Sequence, residues 1–117
     1  MPRFGAYIRH RRETLRADDA DFSVRKVAGR IGIEPSYLSK VERDIESAPS
    51  EPRIRALASE LKEDPDFLLA LAGKVSSDLQ EAIRRRPQLL SQLIREVDHL
   101  PDARLRRFVR QIQLGQT

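Results

Sequence analysis

Between Pro35 and Arg43 the chain sets Ser36, Tyr37, Ser39 and Lys40 on the side of a short helix opposite Leu38 and Val41. These are hydrogen-bonding side chains of short to medium reach, suited to the edge of a base pair. A lysine donates to guanine O6 or N7, a serine bonds a base edge or a phosphate, and a tyrosine packs on a thymine methyl or reaches the backbone. Arg25, Lys26 and Arg43 would hold register through phosphates, helped by Arg9 or Arg11. A solvated helix face usually carries Glu, Lys and Gln instead. Spacing alone still leaves two readings open, a groove-reading surface and the outside of an ordinary αα-hairpin.

Those side chains need two helices and a tight turn. Val24, Val27, Ala28 and Ile31 recur at helical spacing, and Leu38 and Val41 mark the inner face of the next helix. Gly32 can take a left-handed conformation, and Pro35 fixes φ for the first turn that follows. Residues 23–43 thus predict helix, turn and helix. If the segment binds DNA, the second helix lies in the major groove.

These residues resemble the Xre or Cro-type (lambda-repressor-like) helix-turn-helix regulators. The resemblance runs from Phe4 to Gly73 and rests on Ile8, Arg9 and Arg12, Val27-Ala28, Gly32-Ile33, Tyr37 to Arg43, and Ile54, Leu57, Ala58 and Leu61. It implies a five-helix DNA-binding domain and a salt bridge between Arg12 and Glu42, which favours a structural role for Arg12 over a phosphate contact. Two departures stand out. Many relatives carry a glutamine where this chain has Val24, and a glycine directly after the recognition helix where this chain has none.

Around this unit, a first helix is expected from Phe4 to Leu15, with Phe4, Ile8 and Leu15 inward and Arg9, Arg11 and Arg12 mostly outward. Residues 16–22 read as an acidic surface loop anchored by Phe22, with Ser23 capping the second helix. The loop after Arg43 carries Asp44 and Glu46, so either these acids point away from DNA, the favoured reading, or the loop serves another partner. Ser50 reads as the cap of a helix from Glu51 to Lys62, whose exposed N–H groups could bind a phosphate, and Asp64-Pro65 restarts a helix ending at Gly73. Residues 1–73 form one expected domain.

Residues 74–117 are too regularly apolar for a disordered tail and predict about three more helices. Leu89, Leu90, Leu93, Ile94 and Val97 form one stripe, and Leu105, Phe108 and Val109 another. Faces this wide require a cover: a second copy of the chain, the domain itself, or a different protein. Self-association is favoured, because the first domain is complete and DNA half-sites are commonly read by two-fold dimers. The segment also resembles the extension found in a subset of these regulators.

The formal charge is +4, but it is unevenly placed. Residues 1–43 hold ten Lys or Arg against six Asp or Glu, residues 44–73 three against seven, and residues 74–117 nine against five. The basic first block coincides with the groove-binding segment and fits an anionic partner. With no cysteine, disulfides and thiolate metal sites are excluded. No signal-like or membrane-spanning run occurs, so a cytoplasmic protein is expected. His10 and His99 lack companions at metal-ligand spacing, and no phosphate loop or nucleophile elbow is present. The expectation is an all-α, non-enzymatic regulator needing no cofactor or metal. Its partners would be double-stranded DNA and a second copy, with an antitoxin-like or anti-regulator module as the alternative.

Overall fold

The computed structural model describes residues 2–115, among which there are eight α-helices and no strand. They divide into two compact units, one ending at Ser76 and the other beginning at Ser77.

The first unit contains α1 (Phe4–Arg16), α2 (Val24–Ile31), α3 (Pro35–Glu42), α4 (Glu51–Leu61) and α5 (Pro65–Leu71). Its core is built where apolar residues recur three and four apart: Ile8 from α1, Val27 and Ala28 from α2, Leu38 and Val41 from α3, Ile54, Leu57 and Leu61 from α4, and Leu68 and Leu69 from α5. The expected surface loop contains a 3-10 turn, Ala20–Phe22, fastened where Asp19 accepts a hydrogen bond from the Asp21 N–H. Phe22 packs against the core, with the Arg30 guanidinium 5.4 Å above its ring centre.

Helix ends determine how the rods meet. Gly32 has φ +77°, so the Ile33 N–H turns back to the Ala28 carbonyl and closes α2 within one residue. Lys62 closes α4 in the same way despite carrying a side chain, at φ +58°. Ser50 precedes α4 with extended backbone, but its side chain makes no capping bond, contrary to the sequence expectation. Arg11 is also placed differently from the expected outward position: its Nε donates to the Leu61 carbonyl at 3.0 Å and lies 3.2 Å from Glu63, fastening α1 to the end of α4.

The second unit contains α6 (Ser77–Arg85), α7 (Pro87–Val97) and α8 (Asp102–Gln113). α6 packs against α7. None of the three helices contains a buried residue. Leu89 is 66%, Ile94 52% and Ile112 51% exposed, so the apolar stripes are largely uncovered. No helix among the described residues is long and apolar enough to cross a membrane.

Candidate nucleic-acid interface

α3 owes its position to its inner face. Leu38 and Val41 enter the core, and Glu42 is buried beside them. Arg12 reaches from α1 and grips the Glu42 carboxylate at both oxygens, Nε to Oε2 at 2.7 Å and Nη2 to Oε1 at 2.9 Å. Its remaining Nη1 donates to the Phe22 carbonyl at 3.1 Å. Both charged side chains are only 4% exposed. A two-pronged guanidinium–carboxylate contact fixes orientation as well as distance, so the end of α3 is held firmly against α1.

A second fastening follows two residues later. Asp44 adopts φ +59°, a conformation tolerated by aspartate, and its N–H and that of Ile45 turn back to the Val41 and Lys40 carbonyls. Its carboxylate then accepts the Gly5 N–H at 3.2 Å, one of the free donors at the start of α1. Gly5 is required by this approach: a Cβ there would lie 2.2 Å from the Val41 carbonyl oxygen and 2.6 Å from Asp44 Oδ1. Asp44 therefore turns toward the start of α1 and, though exposed, caps a helix far from it in sequence.

With its inner side held, α3 turns the other side outward. Ser36, Lys40 and Arg43 are exposed and Ser39 is half-buried. Among the described residues, the side chains of Ser36 and Lys40 have no hydrogen-bond or ion-pair partner. Tyr37 is half-buried against the core and its hydroxyl donates to the Ser47 carbonyl at 3.2 Å, tying the following loop to α3. The Arg43 Nε lies 3.4 Å from the Ser39 carbonyl and stays exposed.

The start of α2 supplies the cations. Ser23 Oγ accepts the Lys26 N–H at 3.2 Å, as expected of a cap. Arg25 and Lys26 are both exposed, whereas Val24 packs against the core. Lys26 donates to Asp21 at 2.8 Å, and this hydrogen bond, reinforced by the lysine's charge, holds the Asp21 carboxyl below the usual carboxylate range. Such a surface pair is worth little in water and leaves the lysine able to exchange partners.

One contact at the turn had no counterpart in the sequence reading. Arg53, on the first turn of α4, donates from Nη1 to the Ile31 carbonyl at 2.7 Å and also to the Gly32 carbonyl. Among the described residues no buried side-chain polar atom lacks a hydrogen-bond partner, and no group of three or more His, Cys, Asp or Glu could hold a metal ion. The polar groups open to a partner are therefore on the surface, and the exposed sides of α2 and α3 combine cations with short hydrogen-bonding side chains.

Comparison with protein families agrees with this geometry: residues 3–71 match a family described as a helix-turn-helix domain. Neither a curated protein nor a solved structure gives a significant match.

Proposed function

Because the chain belongs to this helix-turn-helix domain family, a DNA-binding family, we propose that it is a sequence-specific double-stranded DNA-binding regulator of the Xre or Cro type. It acts as a repressor, by occupying an operator rather than by catalysis, and works in the cytoplasm. The observation that carries this reading is the contrast between the two sides of α3, one locked by Leu38, Val41 and Glu42 and the other presenting Ser36 and Lys40 unpartnered.

In this mechanism Lys40 donates to guanine O6 or N7, and Ser36 and Ser39 bond a base edge or phosphate. The Tyr37 ring packs on a thymine methyl while its hydroxyl stays on Ser47. Arg25, Lys26 and Arg43 neutralise phosphates and set register. Two copies read an inverted repeat whose half-sites lie about 34 Å apart.

Dimerisation is assigned to the second unit. Leu89, Leu93, Ile94 and Val109 are exposed there, and Leu90, Val97, Leu105 and Phe108 are half-buried. A helical unit with no buried residue among those described gains its core by pairing with a copy of itself. Each such side chain covered contributes on the order of 1.5–3 kcal/mol before ordering costs. The same stripes also fit the alternative of an antitoxin-like or anti-regulator module, in which a helix of another protein covers them.

The test is fluorescence anisotropy with a duplex selected from a random pool and a scrambled duplex, at about 150 mM salt where non-specific binding is weak. The selected duplex should bind roughly 1,000-fold more tightly or better. Equal affinities would overturn the reading. Sedimentation of the full chain should give a dimer, and Leu93→Asp with Ile94→Asp a monomer. A monomeric parent chain would favour the protein-partner alternative.

A further inference from the structure

Resting on the DNA-binding reading above, we infer that Arg53 is a positioning residue for base recognition: it sets the angle between α2 and α3 while touching no base itself. The exit of α3 is clamped from α1 through Arg12–Glu42 and Asp44–Gly5. The start of α3 has no comparable anchor of its own. Glu34, which precedes Pro35, makes no side-chain capping bond. The turn is closed by the Ile33 N–H on the Ala28 carbonyl, and it is tied to α4 by the Arg53 guanidinium, whose single Nη1 donates to the carbonyls of Ile31 and Gly32.

Those two carbonyls are the last of α2 and the first of the turn. A helix ends with carbonyls that lack an intrahelical donor and with partial negative charge, so a cation seated there is favourable in both respects. Arg53 is well placed to act as a strut. Its neighbour Ile54 is fully buried, which fixes the α4 backbone at that point. Gly32 serves the arrangement twice, by taking φ +77° and by leaving room: a Cβ at Gly32 would lie 2.8 Å from Arg53 Nη1. α4 thus braces the turn from one side while α1 braces the far end of α3.

With the exit of α3 clamped, release of the turn lets the start of α3 swing, and about ten degrees over a helix about 12 Å long moves Ser36 by about 2 Å, out of hydrogen-bond range of a base edge. Phosphate contacts, made by long flexible cations, would tolerate the change. Loss of Arg53 should therefore reduce discrimination between sequences more than it reduces overall attraction to DNA. Because one nitrogen makes both bonds, a lysine of similar reach can replace it.

The experiment compares Arg53→Met with Arg53→Lys in the full chain. Hydrogen exchange is measured at the Gly32 and Ile33 amides, which close α2. Anisotropy then gives the ratio of affinities for the selected and scrambled duplexes. Arg53→Met should speed exchange at those two amides at least tenfold, leave the Lys74 amide at the end of α5 unchanged, and cut the affinity ratio at least tenfold. Arg53→Lys should recover most of both. Unchanged turn exchange in Arg53→Met, or an affinity ratio within twofold of the parent, would overturn the inference. A parent chain that does not distinguish the two duplexes overturns the DNA reading instead, while the exchange measurement still decides whether Arg53 holds the turn.

Discussion

Replacing Arg12 by methionine removes three hydrogen bonds at once, two to Glu42 and one to the Phe22 carbonyl. The carboxylate left behind is almost fully enclosed, with its own side chain 4% exposed, so water cannot replace the lost donors without opening the packing of α1 on α3. Breaking a buried pair on one side costs roughly 3–5 kcal/mol. A unit of this size is stable by about 4–11 kcal/mol in total. Arg12→Met should therefore lower Tm by at least about 12 °C, at roughly 4–8 °C per kcal/mol for a domain of this length. Glu42→Gln should cost less, because its amide oxygen still accepts from Arg12. Replacing both residues by methionine should restore much of the loss, since a buried ion pair and a well-packed apolar pair are often close in stability. Urea denaturation followed by tyrosine fluorescence reads this directly: Tyr7 and Tyr37 are the chain's two tyrosines, both lie in the first unit, and there is no tryptophan. Additive costs in the double variant, or an Arg12→Met cost below about 1 kcal/mol, would refute the clamp; such a value is that of an exposed surface pair.

Other outcomes follow from neighbouring contacts. Gly5→Ala places a Cβ 2.2 Å from the Val41 carbonyl and should destabilise the first unit by about 1–3 kcal/mol, read as a lower urea midpoint; an unchanged midpoint would mean α1 is free to shift. The Tyr7 hydroxyl donates to Glu63 at 2.8 Å, and this bond, with burial and the carboxylate's charge, raises its pKa. The associated stability is fully present below the unfolded value of about 10 and is lost as pH rises through the folded value. Ultraviolet titration of Tyr37→Phe should therefore show late ionisation of Tyr7, and Glu63→Gln should bring it earlier. Asp21→Asn releases Lys26 from its pair and removes a negative charge from beside it, and should tighten DNA binding about two- to fivefold, equivalent to roughly 0.4–1 kcal/mol. Weaker or unchanged binding by anisotropy would place Lys26 away from the phosphates.

The helices were legible because their cores are local patterns. Ile54, Leu57, Ala58 and Leu61 write the buried face of α4 in four residues' spacing, and Gly32 and Pro35 announce the turn by backbone chemistry alone. The Arg12–Glu42 bridge came from resemblance, since nothing in the composition links residues thirty positions apart. Long-range polar contacts had no such signal. Asp44 capping Gly5 and Arg53 capping the turn depend on where helices cross, which a linear sequence does not encode residue by residue. The same reason brings Arg11 onto the end of α4, where its Nε meets the Leu61 carbonyl. Ser50 fails as a cap although its backbone is placed correctly, because extended backbone at that position is necessary for the bond and does not secure it. The expected outward side of α3 contains Ser36 and Lys40 as bare groups, while the Tyr37 hydroxyl is already committed to Ser47.

Base recognition by α3 is most directly measured by the preferences of the chain for every base at each operator position, for the parent and for Lys40→Ala. Removing this one donor should erase the preference for a guanine at a single position in each half-site, at about 1–3 kcal/mol, and leave the other positions as they were. A profile that keeps every preference, or weakens all of them equally, would mean that Lys40 supplies only charge and that some other surface reads the sequence.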